Sequence, residues 1–288
     1  MKTVSLYAYA KLNLALEVVG KREDGYHNMN MLMQSVSLCD TLHLKKLESS
    51  IRFACNRSDI PCNADNIAFT AAEKFFNFTG IDGGVEISLE KQIPSQAGMA
   101  GGSADAAAVL RGLNRLYAAN LSVSELCRIG VTLGADVPFC LVGGTAHVTG
   151  MGEKVEPAPS LPECFFIIVK PETGISTGAA FQAVDRCQSL QKADVQPVLN
   201  AAADRDIRSI ALAMCNTFEQ VTELEEVFEI KQKLLESGAC GSLMSGSGSA
   251  VFGLFSERET ALAAAARLHL FYKEVYFAKP VPYGVKVL

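Results

Sequence analysis

A glycine-rich turn that leads into an alanine-rich helix constrains this chain more than any other feature. The stretch Ile93–Leu110 reads IPSQAGMAGGSADAAAVL. Gly98, Gly101 and Gly102 leave the backbone bare, and the alanines of residues 104–108 allow the helix to pack closely on a sheet. Helix N-termini present unpaired N–H groups and a partial positive charge. A bare turn at such a terminus therefore predicts a cradle for an anion such as phosphate.

The same letters also fit a plain helix entry in which the alanines serve only close packing. Three better-known glycine motifs do not fit. No lysine follows in the GxxxxGK[ST] pattern, the glycine spacing is not GxGxxG, and GxSxG is absent. A Walker loop, a dinucleotide-binding turn and a hydrolase nucleophile elbow are therefore disfavoured.

Length and composition predict a two-domain α+β protein. The chain has 288 residues, of which 49% are hydrophobic, which allows one large domain or two modest ones. The segment EPAPSLPE, residues 156–163, holds three of the ten prolines and predicts a boundary between domains 1–156 and 157–288. Strand and helix patterns mix without a strict βαβ rhythm, which favours mainly antiparallel sheets.

Hydrophobic periodicity and cap residues predict individual elements. The segment 134–153 (GADVPFCLVGGTAHVTGMGE) is predicted as a loop followed by a hairpin. Strands are predicted over 7–19, 31–47 (one strand or two), 85–89, 165–169, 243–245 and 250–255. Helices are predicted over 65–78, 102–116, 177–186, 194–214, 217–236 and 257–271, and another ends at 133 after a cap at Ser122 or Ser124.

Charge and cysteine usage argue against several classes of partner. The net charge is −5 and no basic stripe alternates with aromatic residues, so nucleic acid is not expected as a partner. No apolar run reaches about 18 residues, so no membrane span is expected. Nine cysteines without a CxxC pair predict reduced thiols and a cytoplasmic location. The four histidines lie far apart, no metal site is predicted, and the N-terminus alternates like a strand and not like a signal or transit peptide.

Three segments together resemble the GHMP kinases, a family that includes galactokinase, homoserine kinase and mevalonate kinase. PSQAGMAGGSADAA resembles the family's nucleotide loop, with Met99 in place of the usual leucine. AYAKLNLALEVVGKREDGYHN and GSLMSGSGSAVFGLF resemble its N-terminal and C-terminal motifs. The three lie in the family's order across nearly the whole chain, which makes the resemblance far more specific than any one motif.

The resemblance implies a two-domain fold, with a mixed α/β N-terminal domain and a ferredoxin-like C-terminal domain. It also implies ATP as phosphate donor with Mg²⁺, although no carboxylate pair identifies a protein ligand for the metal. Asn66 is expected beside the adenine, although a helix cap explains it equally well. The expected ATP-binding loop comprises Pro94, Ser95, Gln96, Ala97, Gly98, Met99, Ala100, Gly101, Gly102, Ser103 and Ala104.

Lys11 and Asp136 match the family's catalytic residues. Strand alternation points Lys11 to the same side as Tyr9 and Asn13, although such a lysine can also extend to solvent. Asp136, in GADVPF, matches the catalytic base, and the alternative is a turn residue held off the helical path by Pro138. An ordinary Asp, with a pKa near 4, is a weak base at neutral pH. Asp136 is therefore expected to orient the acceptor hydroxyl and to receive its proton late, with Lys11 keeping it ionised.

Within the family, GYHNMNMLMQSVSL, AGMAGGSADAAAVLRGLN and GADVPFCLVGGTA are most similar to members that phosphorylate the 2-hydroxyl of a cytidine diphosphate-linked methylerythritol in non-mevalonate isoprenoid synthesis. The resemblance implies that Tyr26 and Phe181 sandwich the cytosine and that His27 reads its edge. Asn13 and Thr177 are expected at the methylerythritol end. Tyr26 and Phe181 can also be ordinary rim or core aromatics.

Two other functions stay open at this point. Another small-molecule kinase of the family, such as homoserine or mevalonate kinase, shares the loop, whereas GYHN and GADVPF favour the cytidine-linked substrate. A non-catalytic nucleotide sensor would need neither Lys11 nor Asp136. In the third motif, Gly246 and Gly248 are expected to bring backbone close to the site and Ser247 close to phosphate, although a β-turn explains the same letters.

Overall fold

The computed structural model describes residues 2–288, in two sheets with helices packed against them. The strands are β1 (Thr3–Lys21), β2 (His27–Leu47), β3 (Ile51–Cys55), β4 (Gly84–Glu90), β5 (Thr145–Gly150), β6 (Lys154–Pro157), β7 (Phe165–Lys170), β8 (Cys215–Asn216), β9 (Gly241–Met244), β10 (Val251–Phe255), β11 (Glu274–Ala278) and β12 (Val285–Val287). The helices are α1 (Ile67–Thr79), α2 (Gly101–Leu116), α3 (Val123–Gly130), α4 (Val137–Val142), α5 (Thr177–Arg186), α6 (Gln196–Ala203), α7 (Ile207–Ala213), α8 (Glu225–Glu236) and α9 (Arg258–Leu268), with a 3-10 turn at Thr217–Gln220 before α8.

The first sheet has eight strands built around the long β1–β2 hairpin. Its central order is β12-β1-β2-β4-β3, with β5 beside β2, β6 beside β5, and β8 beside β1. Helix α2 packs on β1 and β2, and α1, α3 and α4 pack around α2. The register of β1 against β2 shifts between Tyr9 and Lys11 and again between Asn13 and Ala15. These irregularities flank the segment that carries Lys11.

The second sheet is antiparallel throughout, with the order β11-β7-β10-β9. Taken along the chain, its strands come in the spatial order fourth, first, third, second, with helices between the first and second and between the third and fourth. This is the ferredoxin-like arrangement. Helix α8 packs on β9 and β10, and α9 packs on β7 and β11. The predicted α+β fold, with mainly antiparallel sheets and a ferredoxin-like C-terminal part, is confirmed.

The first sheet also takes strands from the second half of the chain. Both β8 and β12 pair with β1, and β6 extends to Pro157. The division into domains 1–156 and 157–288 therefore stays a proposal. None of the helices within residues 2–288 is long and apolar enough to span a bilayer.

Several predicted elements differ from the structure for local reasons. The hairpin predicted in the segment 134–153 is formed by β5 and β6, but part of the predicted loop before it is helical, because α4 begins at Val137 with Pro138 in its first turn. Proline is tolerated there because the first N–H groups of a helix need no partner. The predicted helix 194–214 is two helices, since Arg205 has a φ of 57° and Asp206 caps α7. The predicted helix 217–236 likewise begins as a 3-10 turn, and α8 starts only at Glu225.

A buried charge cluster lies at the start of the glycine-rich stretch. The Lys91 ammonium contacts Oδ2 of Asp40 on β2 at 2.5 Å and Oδ2 of Asp105 on α2 at 2.7 Å. Oδ1 of Asp40 accepts the backbone N–H groups of Gln92 at 2.6 Å and Ile93 at 2.8 Å. Burial raises the pKa of the Asp105 carboxyl well above its usual range, against the charge of Lys91. The cluster joins β2, β4 and α2 below the turn and sets where the turn begins.

Removing the cation of this cluster should destabilise the fold. Lys91→Met leaves the carboxyl groups of Asp40 and Asp105 buried without it, so we expect the free energy of unfolding to fall by about 3 kcal/mol. Urea denaturation followed by circular dichroism measures this. Lys45→Met, which breaks the exposed Lys45–Glu86 pair at 3.5 Å, is the matched control and should change little. Equal losses in the two variants would contradict the assignment.

Candidate active site

The three segments that resemble kinase motifs meet at one place in the structure. The backbone N–H of Lys11 donates to the Met99 carbonyl oxygen at 3.2 Å. The Ser245 hydroxyl donates to the Gly98 carbonyl oxygen at 3.0 Å. The Ala250 N–H donates to the Ala97 carbonyl oxygen at 3.3 Å. The middle of β1, the glycine-rich turn and the turn after β9 are therefore hydrogen-bonded to one another.

Two glycines make this close approach possible. Gly98 has a φ of 68°, and a Cβ there would lie 1.9 Å from the Ser245 carbonyl oxygen. Gly246 has a φ of 56°, and a Cβ there would lie 3.1 Å from Nζ of Lys11. A side chain at Gly98 would collide with backbone, and one at Gly246 would crowd the ammonium. Glycine is thus required where the two turns cross.

The N-terminus of α2 is left open. Ala100 occupies the cap position with a φ of 55°, and no side chain of residues 2–288 caps this helix. By contrast, Asn66 caps α1, and Ser122 caps α3 in a capping box with Glu125. No acidic residue lies in the first turn of α2. The first-turn N–H groups are therefore available to an anion, which favours the predicted cradle over a plain helix entry.

Lys11 is a buried cation at the centre of this arrangement. Its side chain is only 4% exposed, which rules out extension to solvent. Nζ donates to Oδ1 of Asn13 at 2.6 Å and to the Gly98 carbonyl oxygen at 2.7 Å. Burial lowers the pKa of Lys11, while the negative charge of Asp136 acts in the opposite direction. The predicted common side for Lys11 and Asn13 is confirmed by their contact.

Asp136 lies at the cap position of α4 and lines the same cavity as Lys11. Pro138 therefore does not hold this segment off the helical path, and that expectation was wrong. Among residues 2–288, Lys11 and Asp136 are not joined as a direct ion pair, although the charge of Asp136 acts on Lys11 through space. Both side chains line the one cavity.

Two adjoining cavities lie along this surface. The first, of about 510 Å³, is lined by Lys11, Asp136, Asn66 and residues 94–103. The second, of about 620 Å³, is lined by Tyr26, His27, Phe181 and Asp185 among others. Both volumes are typical of small-molecule sites. The cavities share Met29, Ala135, Met151, Thr177 and Phe181, so one ligand can extend from one into the other.

Two residues predicted for the nucleotide site, Ala104 and Asn66, are not placed like the residues of the glycine-rich turn. Ala104 is fully buried and does not line the first cavity. Asn66 lines the cavity, but its Oδ1 accepts the Ala68 N–H at 2.9 Å and its Nδ2 donates to the Pro61 carbonyl oxygen at 2.9 Å. The helix-cap alternative for Asn66 therefore holds in this structure, and contact with adenine stays a prediction.

The second cavity brings the predicted base-binding residues together in part. The rings of His27 and Phe181 stack with centroids 4.7 Å apart and planes inclined by 17°. Tyr26 stands at the cavity with 64% of its surface exposed. Thr177 begins α5, and its hydroxyl lies 3.0 Å from that of Ser247. The ring stacked on Phe181 here is therefore that of His27, Phe218 contacts Phe181 edge-on with centroids 5.0 Å apart, and a sandwich by Tyr26 stays a prediction.

Several charged residues that line the cavities were not predicted as site residues from the sequence. Lys91 and Asp105 line the first cavity, and Asp185 lines the second. Asp105 lies within the glycine-rich motif but was given no role, and no motif contains Lys91 or Asp185. Asp185 follows Phe181 by four residues on a predicted helix, which places both on one face. Residues 2–288 contain no cluster of three or more His, Cys, Asp or Glu side chains placed to hold a metal ion.

Comparison with known proteins gives the same family for both halves of the chain. Residues 66–144 match the model for the N-terminal domain of GHMP kinases, and residues 198–274 match the model for the C-terminal domain. A Caldicellulosiruptor bescii protein named 4-diphosphocytidyl-2-C-methyl-D-erythritol kinase is 43% identical over 275 residues, which cover 94% of this chain and 96% of that protein.

Solved structures agree with this at the level of the whole fold. A 4-(cytidine 5'-diphospho)-2C-methyl-D-erythritol kinase has a TM-score of 0.82 at 34% identity, covering 96% of this chain and 98% of its own. Homoserine kinase from Cytophaga hutchinsonii has a TM-score of 0.80 at 20% identity, covering 100% of this chain and 98% of its own, and shows the fold alone. The motifs, the converging turns and the relatives together show that this chain is a kinase and belongs to the GHMP kinase family.

Proposed function

We propose that this chain transfers the terminal phosphoryl group of ATP to the 2-hydroxyl of 4-diphosphocytidyl-2-C-methyl-D-erythritol, in non-mevalonate isoprenoid synthesis. The observation that carries the proposal is the pair of adjoining cavities. One holds a bare turn with Lys11 and Asp136, and the other holds an imidazole between a phenyl ring and a carboxylate. The relatives of that name, at 43% and 34% identity over almost the whole chain, support the same substrate.

ATP would lie with its phosphates on residues 94–103 at the open N-terminus of α2. Backbone N–H groups and the helix dipole would hold the negative charge without a side chain in the way. Mg²⁺, when bound with ATP at this turn, would supply positive charge that neutralises the phosphates. Mg²⁺ prefers few protein ligands and keeps water, and the Ser103 hydroxyl is a cavity oxygen beside residues 94–103 that would suit it.

Lys11 and Asp136 would act on the two ends of the transferred group. A loose transition state needs the donor and acceptor oxygens held in line more than it needs a strong base. Asp136 would accept a hydrogen bond from the substrate hydroxyl, orient it and take its proton late. The Lys11 ammonium, held by Asn13 and Gly98, would stabilise the charge on the moving phosphoryl group.

The cytidine part of the substrate would lie in the second cavity. Tyr26 and Phe181 offer aromatic surfaces for a flat base, and His27 offers a polar edge. Asn13 and Thr177 would face the methylerythritol part, between the two cavities. Ser247, hydrogen-bonded to Thr177, and the glycine turn around it would close the phosphate side.

The alternatives are weaker on specific grounds. Homoserine kinase and mevalonate kinase act on small acceptors that carry no nucleobase. For such an acceptor, the imidazole-lined cavity of about 620 Å³ would have no occupant. A nucleotide sensor would not require a buried ammonium and a carboxylate facing one cavity. We further propose that the protein works in the cytoplasm on small molecules and without nucleic acid or membrane partners, which its net charge of −5 and nine unpaired cysteines support.

Release of ADP from ATP tests the activity and the role of Asp136 together. The diphosphocytidyl substrate should support turnover, whereas homoserine and mevalonate should not. Asp136→Asn should lower kcat about 10³-fold, because an amide oxygen can still accept a hydrogen bond but cannot take the hydroxyl proton, with ATP affinity nearly unchanged. The control Asp82→Asn changes an exposed aspartate outside both cavities and should keep full turnover. Turnover with homoserine instead, or near-normal kcat in Asp136→Asn, would refute the proposal.

The pH dependence of kcat/KM for ATP tests the charge on Lys11 in the free enzyme. Burial lowers its pKa from the ordinary 10.5, so the ammonium is lost as pH rises, at a lower pH than for a free lysine. We expect kcat/KM to fall on the alkaline side with a midpoint below 10.5, measured from pH 7 upward with folding checked at each pH. Any turnover that Lys11→Arg retains should lack this fall, since guanidinium stays charged. A matching alkaline fall in both enzymes would assign it to another group.

A further inference from the structure

Asp185 holds the imidazole of His27 in a defined way. Nε2 of His27 lies 2.7 Å from Oδ1 of Asp185, on α5. The second oxygen of Asp185 accepts a hydrogen bond from the Lys21 ammonium at the end of β1. The hydrogen bond from Lys21, and then that from His27, lowers the pKa of the Asp185 carboxyl. The carboxylate is therefore ionised at neutral pH and can only accept hydrogen bonds, so it selects the His27 ring form that carries hydrogen on Nε2.

The other ring nitrogen of His27 is left as the polar atom that faces the ligand. Nδ1 makes no hydrogen bond to any residue of 2–288, and it is not sealed from solvent. His27 itself is only 8% exposed and lines the second cavity. Stacking on Phe181 fixes the plane of the ring. In the neutral ring, Nδ1 is thus a hydrogen-bond acceptor of fixed direction.

We propose that Asp185 is a positioning residue that makes the second cavity select an aminopyrimidine over an oxopyrimidine. A cytosine presents an exocyclic amine, which donates to Nδ1. A uracil presents a carbonyl oxygen at the same position, which meets Nδ1 acceptor to acceptor. An imidazole free to choose its tautomer could serve either base, so the discrimination comes from the carboxylate behind the ring. The inference rests on the proposed function, because it takes the cytidine part of the substrate as the occupant of this cavity.

The tautomer and the base preference can both be measured without turnover. The chain has four histidines, so ¹⁵N-histidine labelling gives few signals, and His27→Gln identifies that of His27. We expect hydrogen on Nε2 in the unaltered protein and a mixture of tautomers in Asp185→Ala. Titration with cytidine diphosphate and with uridine diphosphate should show a preference for the cytidine compound. We expect that preference to fall about tenfold in Asp185→Ala, the usual size for one hydrogen bond.

Two further variants separate this role from general packing. Asp185→Asn keeps an acceptor oxygen and should retain most of the base preference. Arg186→Ala removes an exposed charge from the same helix and should leave the preference unchanged. In turnover assays Asp185→Ala should raise the KM for the diphosphocytidyl substrate, with kcat and the KM for ATP nearly unchanged.

The outcomes distinguish this inference from the proposed function. Hydrogen on Nδ1 in the unaltered protein, or an unchanged base preference in Asp185→Ala, overturns the role of Asp185 even if ADP is released with the diphosphocytidyl substrate. If no ADP is released but the tautomer and the preference for cytidine diphosphate depend on Asp185 as described, the proposed reaction is wrong and the role of Asp185 stands.

Discussion

The carbonyl oxygen of Gly98 is the point on which the site depends. It accepts hydrogen bonds from the Lys11 ammonium at 2.7 Å and from the Ser245 hydroxyl at 3.0 Å. These contacts join a strand from the first sheet, the glycine-rich turn and a turn from the second sheet. The same carbonyl holds the buried cation in place, so the geometry of the turn and the position of the charge are set by one atom. A side chain at Gly98 would separate all three segments.

Local features of the fold could be predicted from the sequence because their causes are local. Helix α2 begins at Gly101, one residue before its predicted start. The glycines there, followed by alanines, indicate a turn that leads into a helix. The apolar run 165–169, which forms most of β7, was predicted because such a run is typical of a buried strand. Helix α4 was missed because Pro138 was taken as a barrier, whereas proline in a first turn is compatible with a helix. The short strands β3, β11 and β12 were missed because their pairing comes from distant parts of the chain.

The residues of the candidate site likewise fall into those that could be predicted from the sequence and those that only tertiary packing brings together. The turn was predicted from its bare glycines at a helix start, Lys11 and Asp136 were found by resemblance, and the structure places all of them around one cavity. The cluster of Asp40, Lys91 and Asp105 could not be found, because residues far apart in sequence meet only after β2, β4 and α2 have packed. Burial of the ammonium of Lys11 likewise follows from tertiary contacts. Sequence alternation gives the direction of a side chain but not what covers it.

The two cavities offer different chemical groups, and the fold places them side by side. The first offers backbone donors and a carboxylate, which suit a phosphate chain and a hydroxyl. The second offers rings and an oriented imidazole, which suit a base. Thr177 and Phe181 line both, so under the proposed function α5 would connect recognition of the base to placement of the hydroxyl. Binding of the distant base can thus contribute to alignment at the reacting atoms.

The most direct test of this account is a crystal structure with a non-hydrolysable ATP analogue. The account predicts the triphosphate on residues 94–103, with its terminal phosphorus between the side chains of Lys11 and Asp136. A terminal phosphate lodged away from both side chains, or a triphosphate that avoids the N-terminus of α2, would contradict it.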